Sequence, residues 1–374
     1  MKRFRAFMAA AACAAVLLAL SDAPHASARA DEAPSPCNLS TPNRIVAVGD
    51  VHGAYERFVK ILQAAQLVDN KQKWIGRGAV LVQTGDVVDR GPEGRRVLEL
   101  LRRLEGEAER AGGRVLALIG NHEVMSMAGD LRYVSAAEYG TFRNGDSTDL
   151  RDRVLTALTG RAETSARGSG DKFDRDAFRI EFLAQTPLGQ IERQLAFGPE
   201  GEYGRWLRAH DTVVKVNGIL FIHGGISPTV AALGCEGIND AVRAEMKELP
   251  VDGARLSTFL ATREDGPLWY RGLAVESEGT LAGDLTTMLE RLQARAIVVG
   301  HTVTANSRIT TRFGGRVVQI DTGMLGEAFY PGGRASALEI QDGRFVAIYE
   351  DGREQLPVRL ITSAMPADVT PASR

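Results

Sequence analysis

The chain has 374 residues, of which 44% are hydrophobic and 25% charged, and its net charge is −2. This balance excludes a disordered or fibrous protein and leaves room for one large domain or two modest ones. It also leaves no electrostatic footprint for nucleic acid, so no nucleic-acid partner is expected.

Lys2, Arg3 and Arg5 precede an apolar run from Ala6 to Leu20, and Ala26-Ser27-Ala28 follows. That order of charge, apolar stretch and small residues is a secretory signal peptide over residues 1–28. The run is about fifteen residues, short of the ~20 that a membrane span needs. The protein is therefore expected to be exported, periplasmic or secreted, with no membrane partner after cleavage. Cys13 lies inside the run behind three alanines, which argues against a lipoprotein. Cleavage removes Lys2, Arg3, Arg5 and Asp22, leaving 42 basic and 46 acidic residues of the original 45 and 47, a net of −4. It also leaves two cysteines, Cys37 and Cys235, in an oxidising compartment. Paired, they would tie the N-terminal tail to the segment after His223; unpaired, Cys235 is a core residue and Cys37 dangles.

Residues 29–43 are rich in Ala, Ser, Pro and acid, lack periodicity, and read as a linker. The folded domain is expected over 44–360, with a tail at 361–374. Ile45-Val46-Ala47-Val48 reads as a buried strand, followed by Gly49-Asp50-Val51-His52-Gly53 and a helical pattern from Tyr55 to Val68. The unit recurs with the strand Ala79 to Val82, the motif Gly85-Asp86-Val87-Val88-Asp89-Arg90-Gly91 and a helix from Pro92 to Arg110. It recurs again with Val115 to Ile119 and Gly120-Asn121-His122-Glu123. Strands alternating with helices predict a largely parallel sheet, and ligands of such sheets bind beyond the carboxyl ends of the strands. Every motif sits at such an end.

About one hundred residues separate His122 from His223, far more than a connection requires. An insertion is expected at about 131–205, with helical flanks at Ser135 to Leu158 and Asp174 to Leu195 and a mobile Gly/Ser/Thr-rich middle at Gly160 to Asp171. It reads as a helical cap over the site or as a solvated excursion. Beyond it, Thr212 to Val216 and Gly218 to Ile222 flank Asn217 as a hairpin, and Ala296 to Val299 leads into Gly300-His301. Further hairpins are expected at Arg312 to Arg316 and Ile340 to Arg344. The second half is thus more antiparallel, and an α/β fold of the αββα sandwich type accommodates both halves.

The motifs supply carboxylates, an amide oxygen and imidazoles, which suits two divalent metal ions held ~3.5–4 Å apart around a bridging oxygen ligand. Asp86 is the natural bridge. Asp50 and His52 reach one ion, and Asn121, His223 and His301 the other. Mixed nitrogen and oxygen donors fit Mn, Fe or Zn better than Ca. Such ions share a water whose pKa falls toward neutrality, giving a hydroxide that attacks phosphorus directly. The leaving group then needs a proton, and His122 adjoins Asn121 without being needed as a ligand, with Asp89 to orient it. Arg90 presents a planar fork to phosphoryl oxygens, and Arg271 offers a second clamp unless it pairs with a surface acid. Of six histidines four lie in these motifs, whereas His210 reads as structural. Glu123 either orients a ligand or is a helix N-terminal acid, and Tyr330 reads as a turn aromatic.

These ordered segments, Gly-Asp-x-His-Gly, Gly-Asp-x-x-Asp-Arg-Gly, Gly-Asn-His-Glu and His223-Gly224-Gly225, resemble the calcineurin-like metallophosphoesterases, and within them the phosphoprotein phosphatase group. Gly120 to Met125 with Gly129-Asp130-Leu131-Arg132-Tyr133, and Ile320-Asp321-Thr322-Gly323-Met324, are similar to the Shewanella-like protein phosphatases. The resemblance implies an αββα sandwich, a dinuclear centre on the residues named, His122 with Asp89 as acid pair, and Arg90, Arg271 and Asn121 on phosphate. The eukaryotic Ser/Thr enzymes carry arginine where this chain has Ile119, and the chain has no Ser-Ala-Pro-Asn-Tyr segment. Phosphotyrosine is therefore open as substrate.

The leading expectation is an exported dinuclear-metal phosphomonoesterase acting on phosphoprotein, through phosphotyrosine or phosphoserine/threonine esters. One alternative is a dinucleoside polyphosphate hydrolase or another small phosphoesterase, although such hydrolases usually carry Asp where this chain has Glu123. The alternative of another class is a metal-binding module without turnover.

Overall fold

The computed structural model describes residues 37–358 and residue 360. The expected signal peptide and tail lie outside the described residues. Order begins ahead of Arg44. Asn38–Leu39 form a short strand, β1, parallel to Lys215 and Val216. Cys37, 1% exposed, is disulfide-bonded to Cys235, which anchors a segment whose composition alone reads as linker.

The first half alternates as its pattern dictates: β2 (Ile45–Val48), α1 (Tyr55–Ala64), β3 (Val80–Gln83), α2 (Gly94–Arg110), β4 (Arg114–Ala117) and α3 (Asn121–Ala128). Strands β2, β3 and β4 pair in parallel. Five helices follow: α4 (Ala136–Phe142), α5 (Ser147–Ser169), α6 (Arg175–Gln185), α7 (Gln190–Phe197) and α8 (Glu202–Arg208). The stretch expected to be mobile between Gly160 and Asp171 is helical as far as Ser169. The Thr159 and Thr164 hydroxyls donate to the carbonyls of Leu155 and Gly160, and Arg161, Ala162 and Glu163 between them favour helix. Gly170 ends the helix in the left-handed region, φ 75°. These helices carry a small core of their own around Leu155, Leu158, Phe178 and Phe182.

The second half contains β5 (Val213–Val216), β6 (Ile219–Ile222), α9 (Pro228–Ala231), α10 (Gly234–Glu248), α11 (Gly253–Leu256), α12 (Gly272–Val275), α13 (Glu278–Arg291), β7 (Ala296–Val299), β8 (Thr310–Arg312), β9 (Val317–Gln319), β10 (Ser336–Gln341), β11 (Arg344–Tyr349) and β12 (Gly352–Gln355). One sheet runs β1-β5-β6-β7-β9-β8 and the other β12-β11-β10-β2-β3-β4, six strands each. The hairpins β5–β6, β8–β9 and β10–β11 are antiparallel, as their turn residues predict.

The period-2 alternation of side chains makes the layers. Ile45 and Ala47 of β2 face Ile219, Phe221, Ala296 and Val298 of the other sheet. Val46 and Val48 face the opposite way, into α1 and α2, while Leu220, Ile222, Ile297 and Val299 meet α10 and α13. Helices, sheet, sheet and helices stack into an αββα sandwich. Because β2, β3 and β4 in one sheet, and β6, β7 and β9 in the other, are parallel, their carboxyl ends emerge at one rim. Among the described residues no helix is long and apolar enough to cross a membrane.

The Cys37–Cys235 bridge closes a loop of 198 residues. Cys235→Ser is expected to lower stability by ~2–4 kcal/mol, seen as a lower urea midpoint, and non-reduced protein should titrate no free thiol at positions 37 and 235.

Candidate active site

Both sheets deliver side chains to the common rim. Asp50 and His52 follow β2, Asp86, Asp89 and Arg90 follow β3, and Asn121, His122 and Glu123 open α3 after β4. His223 follows β6, His301 follows β7, and Asp321 stands just past β9. All the carboxylates and imidazoles among them are buried.

The backbone that aims these groups is unusual. His52, Asp86, Asp89, Arg90 and His301 have φ of 47°, 55°, 67°, 64° and 62°. A left-handed non-glycine residue costs roughly 1–3 kcal/mol and persists only where its surroundings fix it. Here the N–H groups of Val51 and His52 both donate to the Asp86 carbonyl at 2.9 Å, Gly91 N–H donates to the His52 carbonyl, and Arg90 N–H to the Tyr133 carbonyl at 2.8 Å. Glycine is required where these loops meet. A Cβ on Gly85 (φ 91°) would lie 2.4 Å from Gly120 N, and one on Gly120 would lie 2.3 Å from Asp86 Oδ1.

Asp86 is central. Its Oδ1 accepts from His122 N–H at 3.0 Å, and its Oδ2 lies 3.4 Å from His223 Nε2, 3.6 Å from His52 Nε2 and 3.8 Å from His122 Nε2. Two of these rings are turned alike. His52 Nδ1 lies 3.0 Å from the Val88 carbonyl and His223 Nδ1 2.9 Å from the Thr84 carbonyl, so each Nδ1–H is the donor and each Nε2 points inward. Asn121 Oδ1 and His301 Nδ1 approach His223 Nε2 at 2.8 and 3.1 Å. His301 N–H donates to Asp50 Oδ1, and Asp50 Oδ2 is 3.8 Å from His52 Nε2. The Nε2 atoms of His52 and His301 are buried without a hydrogen-bond partner.

Burial pushes the Asp50 carboxyl well above its ordinary value, and nearby Asp321 adds to this. Burial opposes charge on Asp86 too, but His223 and His122 hold it well below the usual carboxylate range. Burial drives His52 down to about 3, so it stands neutral beside Asp86 rather than as an ion pair. Burial and His223 take His301 down to about 2. Against its burial, Asp86 and Asp50 raise His223 to about 9. A cage of inward imidazole nitrogens and two closely spaced carboxylates is, once any ring proton is displaced, the donor set of divalent cations. The groups His52–Asp86–His122 and Asp86–His223–His301 each bring ligand atoms within 4.8 Å of one another, and Asp86 is shared by both.

His122 belongs to the first of those groups by distance, yet its ring is committed elsewhere. Nδ1 is 2.8 Å from Asp89 Oδ2, and Nε2 is 3.2 Å from Arg90 Nη2. Although burial opposes its charge, Asp86 and Asp89 raise its pKa. Arg90 lies 5.7 Å from the ring centroids of both Tyr133 and Tyr330, which places the expected turn aromatic at the site itself. Arg271 reaches the rim, donating to the His301 carbonyl and Thr302 Oγ1 at 3.0 Å.

Glu123 unites its two readings. Oε2 accepts from Gly120 N–H and Asp86 N–H at 2.9 and 2.8 Å, and Oε1 from Val87 N–H at 2.9 Å, so it caps α3 and pins the Asp86 loop. Burial and Asp86 raise it to about 7. His210 is structural, bound to Glu105 and the Trp206 carbonyl. Sequence reasoning missed Asp321, 2% exposed and pushed up to about 6 by burial. The family-like segment Ile320 to Met324, just past a strand end, was the available signal, but no site role was drawn from it. It also missed Arg193, which no local pattern marks.

The calcineurin-like phosphoesterase family matches residues 43–305. Shewanella-like protein phosphatase 2 of Arabidopsis thaliana is 30% identical over 289 residues, covering 76% of this chain and 72% of the relative. This chain belongs to the Shewanella-like phosphatases of the calcineurin-like phosphoesterase family. Shewanella-like protein phosphatase 1 of Plasmodium berghei is 27% identical over 83% of this chain and 75% of its own. A solved cold-active protein-tyrosine phosphatase of a Shewanella species superposes with a TM-score of 0.63 at 27% identity, over 90% of this chain and 87% of that one. The phosphatase is metal-dependent, and its fold is the sandwich of that family.

Glu123→Ala is expected to weaken divalent-metal binding ~10–100-fold, the usual cost of removing a group that orients ligands, measured by metal titration with circular dichroism to confirm the fold.

Proposed function

We propose that this phosphatase is an exported phosphomonoesterase acting on phosphoprotein, at phosphotyrosine and/or phosphoserine/threonine. In this reading Asp50, His52 and Asp86 hold one divalent ion, and Asp86, Asn121, His223 and His301 the other, with Mn, Fe and Zn suiting the donors. When bound, such a pair supplies a water acidic enough to act as nucleophile and offsets charge on the phosphate oxygens.

The observation that carries the catalytic reading is the clamp on His122. Asp89 takes the Nδ1–H and, with Asp86, favours the doubly protonated ring, so the transferable proton sits on Nε2 beside Arg90. Nε2 then stands where a leaving oxygen receives its proton, beside a guanidinium fitted to phosphoryl oxygens. Arg271, just before α12, approaches from the His301 side, so phosphate is gripped from two sides. A binding module without turnover has no use for a histidine clamped between a carboxylate and a phosphate-binding arginine. Tyr133 and Tyr330 flank Arg90 with ring faces that suit an aromatic ester, and the protein phosphatases among the relatives favour a phosphoprotein over a nucleotide. Export is supported by the charge and apolar order of residues 1–28 and by the Cys37–Cys235 bridge, which persists in oxidising compartments.

With Mn²⁺, the chain is expected to release phosphate from phosphotyrosine or phosphoserine peptide in preference to diadenosine tetraphosphate. His122→Asn is expected to lower kcat ~10²–10⁴-fold at unchanged metal content. Turnover of the nucleotide alone would displace the substrate reading, and full activity in the variant would displace the role of His122.

A further inference from the structure

Arg193 sits on α7, inside the helical insertion, yet its side chain is wholly buried. Its Nη2 donates to Asp89 Oδ1 at 2.7 Å and to Ser126 Oγ at 3.0 Å, and its Nε donates to Glu138 Oε1 at 3.1 Å. The guanidinium lies 4.6 Å from the Phe197 ring centroid. Its approach is set by the backbone. Gly189, just before α7, has φ 93° and packs so closely on α4 that a Cβ there would stand 1.9 Å from the Tyr139 carbonyl oxygen.

A buried cation is costly unless its hydrogen bonds are aimed at acceptors. Here the aim is informative. Asp89 divides its oxygens, Oδ1 to Arg193 and Oδ2 to His122 Nδ1 at 2.8 Å. Ser126 lies on α3, the helix that begins with Asn121 and His122. The fork therefore grips both the carboxylate that orients His122 and the helix that carries it.

We infer that Arg193 is the positioning residue which the insertion contributes to catalysis: it locks the Asp89 carboxylate so that Asp89 holds His122 Nε2 toward the leaving oxygen. The inference rests on His122 as proton donor. Without Arg193, the Asp89 carboxylate loses the bond that fixes its orientation, and His122 turns with it. The loss falls on protonation of the leaving group, so it grows as that group becomes a poorer one.

The test compares kcat on p-nitrophenyl phosphate, whose leaving group scarcely needs a proton, with kcat on phenyl phosphate, whose leaving group does. His122→Asn should raise the ratio of the two rates. Arg193→Gln should raise it in the same direction, with phenyl phosphate turnover falling ~10–100-fold, KM moving less than about threefold and metal content unchanged. The double variant should lose little beyond His122→Asn alone, because both act on one step. Equal losses on both substrates in Arg193→Gln, or losses that multiply fully in the double variant, would reduce Arg193 to a fastener of the fold. An unchanged ratio in His122→Asn would instead overturn the reading of His122 on which the inference stands. Arg193→Lys keeps a cation beside Asp89 and so folds even where the glutamine variant does not. It lacks the fork and should give an intermediate ratio; a wild-type ratio would overturn the positioning role.

Discussion

The site depends on the placement of one carboxylate. Asp86 has its backbone N–H taken by Glu123, its carbonyl by the N–H groups of Val51 and His52, and its Oδ1 by the N–H of His122. Only Oδ2 remains, and it faces three imidazole nitrogens. Three loops from three parallel strands thus converge on a residue whose own backbone is left-handed. The cost of that conformation and of burying its charge is met by bonds from its neighbours, so the geometry exists before any ligand arrives.

Around Asp86 the chain spends burial on differentiating like groups. Asp50 is held toward its neutral form and Asp86 toward its charged one. His52 and His301 stay neutral, whereas His122 and His223 are drawn toward protonation by the acids beside them. Identical side chains therefore do different work a few ångströms apart. Which work each does is decided by the balance of burial against nearby acid: burial wins at His52 and His301, whereas Asp86 with Asp50 wins at His223 and Asp86 with Asp89 at His122.

Much of this was legible in the sequence. Strands such as Ile45–Val48 and Ala296–Val299 are apolar throughout because both of their faces are covered, and each ends on a polar motif that has no place in a core. Glycines at 85 and 120 mark backbone contact without any side-chain signal. What the sequence hid is long-range. Arg193 lies 104 residues from Asp89 between the polar Glu192 and Gln194, and only tertiary packing turns it inward. Asn38–Leu39 are too few to show alternation, and pairing with the distant Lys215 and Val216 makes them a strand. The helix through Ser169 was obscured by Gly, Ser and Thr, whose hydroxyls fold back onto the preceding turn instead of breaking it.

The candidate ligand shell is shared between two sheets that do not pair with each other. Asp50, His52, Asp86 and Asn121 come from one sheet, His223 and His301 from the other, joined at the rim by the His301 N–H to Asp50 and by the Thr84 carbonyl against His223. Any cation bound at the rim therefore staples the two halves of the sandwich at the end where no strand pairing crosses between them. Occupancy of the site then sets how firmly the halves are held together, through the linkage between binding and folding. A chelator acting on this phosphatase should accordingly loosen the whole molecule as well as silence it, making the enzyme's resistance to proteases a gauge of metal supply in its surroundings.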